Sequence, residues 1–156
     1  MHAKVFSATT IGVDAYSVEV EVDISLGLIQ FYIVGLPDAA IRESSKRILT
    51  ALKNSGMRLP AKRITVNLAP ADLKKEGILF DMPIALAILL AADYLELPAS
   101  FLKETLFLGE LSLDGTIRGI KGALAIAYDA KKTQQKSASF CLKPMRTRQH
   151  SFKISK

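Results

Sequence analysis

Residues 63–94 read RITVNLAPADLKKEGILFDMPIALAILLAADY, and this stretch decides the fold class. Arg63 to Leu68 follows Pro60 and is rich in β-formers, which predicts a strand. From Asp81 to about Tyr94 the chain is apolar on nearly every side, which predicts a central helix buried all round. Asp81 is placed as its N-cap, and Pro83 falls in the first turn, where the missing N–H costs little. Asp72, Lys74, Lys75 and Glu76 make the intervening segment a charged loop, expected to be a solvated turn.

Upstream, residues 2–10 and 16–25 alternate as strands do. Val18, Val20, Val22 and Ile24 share one face, and Glu19, Glu21 and Asp23 the other. The turn at Gly12 to Asp14 predicts an antiparallel pair, and a third strand is expected from Leu28 to Val34. Pro37 opens a helix to about Ser55, with Ile41, Ser45, Ile48 and Leu52 on one face and Gly56 as its left-handed stop. Downstream, Thr105 to Leu113 and Thr116 to Ile120 are expected strands joined at Asp114-Gly115, and a last helix covers roughly Gly122 to Lys132. The order βββαβαββα mixes hairpins with crossovers. It predicts a two-layer α+β fold, a mixed sheet with helices on one face.

The 156 residues suit one domain, and the balance of 49% apolar to 23% charged is that of a globular protein. The longest strongly apolar run, Met82 to Ala92, is far short of the roughly 20 residues that span a bilayer. One cysteine excludes a disulfide framework and a thiolate zinc site. No secretory signal opens the chain, so a cytoplasmic location without membrane contact is expected. The net charge of +6 is local. Lys136, Lys143, Arg146, Arg148, Lys153 and Lys156 fall in residues 133–156, which hold no acid. Over residues 1–132, Lys and Arg equal Asp and Glu in number. The tail also holds Cys141 and keeps no helical or strand period, so the domain is expected to be 1–132 and the basic segment 133–156 a separate, poorly ordered tail.

No GxxxxGK[ST] phosphate loop occurs. Gly119-Ile-Lys-Gly122 lacks the spacing and the Ser/Thr that would hold Mg²⁺, and reads as a strand-to-helix turn. His2 and His150 sit at opposite ends, in no metal-ligand or triad pattern.

Several stretches together carry a specific likeness. They are Val34-Gly-Leu-Pro-Asp38 with Arg42-Glu-Ser44, Asn54-Ser-Gly56, and Arg63-Ile-Thr-Val-Asn-Leu-Ala-Pro-Ala-Asp-Leu-Lys-Lys-Glu-Gly77. Phe80-Asp-Met-Pro-Ile-Ala-Leu-Ala87 and Gly109-Glu-Leu-Ser-Leu-Asp-Gly115 follow. In this order, over about residues 2–132, the chain resembles the N-terminal domain of the YifB/ComM family of magnesium-chelatase-like AAA+ ATPases. The resemblance implies a fold like the second domain of ribosomal protein S5, shared with the Lon protease domain. It also implies that a P-loop module follows in complete members, binds ATP and Mg, and assembles into hexameric rings. ComM-type members are associated with DNA branch migration in natural transformation.

The Lon-like fold raises a Ser/Lys peptidase as a rival. In that comparison Lys75-Glu-Gly-Ile-Leu79 occupies the nucleophile stretch, so Leu79 stands in place of the serine. Leu124 stands in place of the lysine, with Lys121 three residues early. The expected function is therefore a non-catalytic accessory domain without its own cofactor, whose partners are the AAA+ module, sister subunits and DNA. Lys62, Arg63, Lys74 and Lys75 are the candidate phosphate or DNA contacts, if exposed. The alternative is a stand-alone nucleic-acid-binding module acting through its basic tail. The tail itself is expected to be frameshifted near Thr133–Ser139. Back-translated and read one base out of register, it can yield I-L-P-E-A-N-A-D-E-A, the type of segment the family carries there.

Overall fold

A computed structural model describes residues 1–12, 14–120, 122–132 and 137–140. Its elements are β1 (His2–Ile11), β2 (Asp14–Ser25), β3 (Phe31–Val34), α1 (Ala39–Asn54), β4 (Arg63–Ala69), α2 (Asp81–Ala91), α3 (Ala99–Glu104), β5 (Thr105–Leu108), β6 (Glu110–Leu111), β7 (Ile117–Arg118), α4 (Ala123–Lys132) and β8 (Ser137–Phe140). Six strands form one mixed sheet in the order β3-β4-β2-β1-β5-β8, and β6 and β7 form a separate antiparallel hairpin. The pairs β1/β2 and β2/β4 are antiparallel, while β3/β4, β1/β5 and β5/β8 are parallel. The α+β class and the antiparallel pair expected at the start of the chain are both present.

Alternation in β2 does what period two requires. Val18, Val20, Val22 and Ile24 are buried in the main core with Ile64, Val66 and Leu68 of β4. Against them pack Ile41, Ile48 and Leu52 of α1 and most of α2, including Ile84, Ala87 and Ile88. Glu19, Glu21 and Asp23 point to the opposite face, where Lys4 meets Glu19 at 3.0 Å and Asn67 donates to Glu21 at 2.8 Å.

Four expectations are corrected. Helices lie on both faces: Ile126 of α4 joins Ala8, Leu106 and Leu108 in a second apolar cluster, on the reverse side of β1 and β5 from Val5 and Phe107. The third strand begins at Phe31, because Leu26 to Ile29 form an exposed bend. The helix α3 after Pro98 was not foreseen, since six residues are too few to display a helical period. Residues 137–140, expected outside the domain, extend the sheet as β8 beside β5. A ladder is built from backbone groups and needs no side-chain alternation. The remainder of the tail, with its expected frameshift, lies outside the described residues.

Candidate functional site

The loop 70–80 is folded into the domain by the segment that precedes α1. Gly35 has φ +95°, and a Cβ there would lie 2.1 Å from the Leu68 carbonyl oxygen, so only glycine lets the chain pass this close to β4. Beyond it, Lys75 N donates to Leu36 O at 3.2 Å and Asp38 N donates to Lys75 O at 3.1 Å. The Asp38 carboxylate completes the joint. Its Oδ1 caps α1 by accepting from Ile41 N at 2.8 Å, and its Oδ2 accepts from Gly77 N at 2.9 Å.

Lys75 is therefore interior. It is fully buried, and its Nζ donates to the Pro70 carbonyl oxygen. Burial lowers the Lys75 pKa from the usual lysine range, against a smaller upward pull from Asp72. The expectation that Lys75 contacts phosphate is thus corrected: two backbone hydrogen bonds hold its residue inside the fold. Its neighbour Lys74 is exposed and pairs with Glu76 at 2.6 Å.

Asp81 is not the N-cap of α2. Phe80 holds that position without a side-chain cap bond, and the Asp81 carboxylate lies in the first turn, buried. Arg47 from α1 grips it twice, Nε to Oδ2 at 2.9 Å and a terminal nitrogen to Oδ1 at 3.0 Å. Leu111 N adds a contact to Oδ2 at 3.3 Å, so this carboxylate locks α1, α2 and the β6–β7 hairpin together. Burial raises the Asp81 pKa, while Arg47 and the Leu111 N–H pull it down.

The sequence-predicted contacts do not converge. Lys62 and Arg63 lie at the start of β4, and Lys74 lies in the loop after its end. The length of β4, roughly 20 Å from Arg63 to Ala69, lies between the two groups. Another set of cations lines α1. Arg42, Lys46 and Lys53 are exposed along α1, with Leu49 between them, at spacings that keep all four on one stripe. Among the described residues no carboxylate forms an ion pair with any of the three cations, whereas Lys4, Arg47, Lys74 and Arg118 all have partners. The sequence signal was present as charges off the apolar face of this helix, but it did not show which of them would be neutralised.

Among the described residues no three His, Cys, Asp or Glu side chains gather as a cation site, and no helix is long and apolar enough to cross a membrane. Leu79 is half-buried against both apolar clusters, and its carbonyl accepts from Gly109 N at 3.0 Å. Lys121 and the side chain of Leu124 lie outside the described residues.

With this geometry in view, the sequence family of subunit ChlI of Mg-chelatase matches residues 20–141. The chain belongs to that ChlI family. Among relatives, the competence protein ComM of Haemophilus influenzae is 47% identical over 133 residues, 85% of this chain and 26% of its own length. An uncharacterised YifB protein of Escherichia coli is 46% identical over 132 residues, again 85% of this chain and 26% of its own. An uncharacterised protein of Mycobacterium bovis shows 43% identity over 129 residues, 83% of this chain and 25% of its own. The chain thus spans about a quarter of the length of these relatives, their N-terminal part. The sequence holds no GxxxxGK[ST] phosphate loop, and its nearest approach, Gly119-Ile-Lys-Gly122, is followed by Ala123, which brings no hydroxyl.

Proposed function

We propose that this chain is the N-terminal accessory domain of a magnesium-chelatase-like ATPase of the ComM/YifB type, with a docking role and no catalytic one. The observation that carries the reading is the near-half identity to ComM and YifB over 85% of this chain but a quarter of theirs, in a stretch without a phosphate loop. In the complete protein the domain works beside an ATP- and Mg-dependent AAA+ module in a hexameric ring, in the cytoplasm, and the ring acts on DNA. Here the loop 70–80 and the Arg47–Asp81 pair serve as internal struts that keep α1 rigid against the sheet.

The DNA contact of this reading belongs to α1. Arg42 and Lys46 are four residues apart, a rise of about 6 Å, so both cations stand one above the other on the same helix face. Exposed and unpaired, they can exchange water and counterions for phosphate without breaking an existing ion pair.

Fluorescence anisotropy with labelled duplex DNA tests this. The full chain is expected to bind with an affinity that falls steeply as salt rises, and Arg42→Gln/Lys46→Gln/Lys53→Gln is expected to flatten that salt slope by about 2–3. The same neutralisation of Lys62 and Arg63 is expected to do less. Loss of binding on neutralising Lys143, Arg146, Arg148, Lys153 and Lys156 alone, with the α1 variant unaffected, would defeat the α1 assignment.

A further inference from the structure

The cations of α1 and the strand β3 lie side by side and together form a ledge. β3 and β4 are parallel neighbours joined through α1, so the helix runs back along both. Arg47 and Asn54 mark the flank of α1 that faces α2 and the β6–β7 hairpin, through Asp81 and the Leu113 carbonyl oxygen. Ile41, Ile48 and Leu52 mark the flank on the core. At about 100° per residue, Arg42, Lys46, Leu49 and Lys53 lie past Leu52, on the side turned away from α2. In the sheet order β3-β4-β2-β1, α2 contacts β2 and β1 while α1 contacts β3, so the stripe overhangs the outer margin of β3. The two match in length: Arg42 to Lys53 rises roughly 16 Å, and β3 spans roughly 13 Å.

The strand supplies backbone groups to this ledge. Gln30 O accepts from Ile64 N at 2.8 Å in the β3/β4 ladder, so residues 30, 32 and 34 direct their backbone groups at β4. Phe31 and Ile33 consequently direct their N–H and C=O groups outward, where no strand pairs with them among the described residues. Their side chains pack toward the core on the α1 side, while Tyr32 and Val34 are exposed on the reverse face. From Leu26 to Pro37 no side chain is charged, so β3 brings no carboxylate to the cations above it.

We propose that the ledge takes an extended acidic segment of a partner protein, which adds to β3 as a strand and sets carboxylates under Arg42, Lys46 and Lys53. The side chains of an added strand alternate between the faces of the sheet. Those opposite Phe31 and Ile33 lie on the α1 side, where carboxylates neutralise the stripe. Those opposite Tyr32 and Val34 lie on the reverse face, where β-branched residues pack against them. The partner is thus recognised by Glu or Asp alternating with Val or Ile. The inference rests on the DNA reading in one consequence only: segment and duplex need the same three cations, so each excludes the other.

Charge selects this occupant over the others. A second β3, paired about a two-fold axis, would put two α1 stripes on the same face of one sheet, cation beside cation, and would add no carboxylate. Residues 133–156 of this chain include Lys143, Arg146, Arg148, Lys153 and Lys156 and no acid, so they would bring like charge to the stripe. DNA neutralises the stripe but offers no strand to the outward N–H and C=O groups of Phe31 and Ile33. An acidic strand satisfies both halves of the ledge.

Fluorescence anisotropy of the full chain with a short labelled peptide alternating valine and glutamate tests it. Binding is expected, and Arg42→Gln/Lys46→Gln/Lys53→Gln is expected to weaken it about tenfold. The three side chains replaced are exposed, and far-UV circular dichroism confirms that the variant is folded. Methylating the peptide nitrogens that would pair with β3 keeps its charge and is expected to abolish binding, which attraction between charges alone would not do. A peptide alternating valine and lysine is expected not to bind. The proposal is overturned if the wild-type chain leaves the valine–glutamate peptide free up to about 1 mM. Equal binding of the methylated or the lysine peptide overturns it too, as does a triple variant that binds like wild type, or duplex affinity unchanged by saturating peptide. The two readings fail separately. Duplex binding without peptide binding overturns the acidic strand alone, and peptide binding without duplex binding overturns the DNA contact alone.

Discussion

At Gly35, a positive φ and the Leu68 carbonyl oxygen leave no room for a side chain. Gly35→Ala is therefore expected to cost at least about 2 kcal/mol, through strain and displacement of β4 from the segment before α1. A urea midpoint unchanged from wild type would contradict this. Lys75 makes a pH-dependent prediction. Its folded pKa is lowered by burial, so between that value and the ordinary lysine value the unfolded chain binds more protons than the folded one. Stability from this group must then rise with pH across that window, and the penalty for burying the cation is complete below it. The stability difference between wild type and Lys75→Met is expected to grow in favour of wild type from pH 7 toward pH 10. A difference independent of pH would show that Lys75 titrates as in the unfolded chain. Arg47→Met leaves the buried Asp81 carboxylate with one backbone donor, and is expected to cost about 3 kcal/mol by denaturant unfolding.

At the scale of elements, α2 lies at the centre of the domain, but it is not buried on every side. A helix buried all round, as the sequence predicts, would place Leu86 and Leu89 equally in the core. Leu86 is buried, while Leu89 is only partly buried and packs on the core from its margin. Leu86→Ala is expected to destabilise by about 2–5 kcal/mol and Leu89→Ala by less than about 2 kcal/mol, both read from thermal or urea unfolding. Equal losses at the two positions would mean that the helix is turned from its described orientation. Much of this level was legible in advance. Alternation in β2, the turn at Gly12 and the unbroken apolar character of α2 each reflect a local period. The N-cap of α2 was misread because Asp81 satisfies the local capping rule while Arg47, 34 residues away in sequence, claims its carboxylate.

For the whole molecule, the candidate site was the least legible feature. Lys62, Arg63, Lys74 and Lys75 are close in the chain, but β4 carries two of them away from the others and Lys75 turns inward. Sequence proximity does not survive a strand. The stripe on α1 emerges only when the carboxylates that neutralise other cations are placed. As a domain lacking a phosphate loop, the purified chain is expected to hydrolyse neither ATP nor peptides. Turnover that is lost on changing a residue within 1–132 would overturn the accessory-domain reading.

By itself the sequence determined the α+β class, the first antiparallel pair, the position of the main helices and, through its shared motifs, the family. These depend on periodicity and on runs of adjacent residues, which are properties of the chain taken locally. Tertiary structure alone decided that α4 covers the opposite face, that residues 137–140 add a strand, that Lys75 is interior and that Asp81 is an ion-pair partner. It also decided that β3, an uncharged strand, lies at the end of the sheet among the described residues. Each of those outcomes depends on which distant backbone or side-chain group best satisfies a donor, acceptor or apolar surface in the folded chain, and no local pattern encodes that meeting.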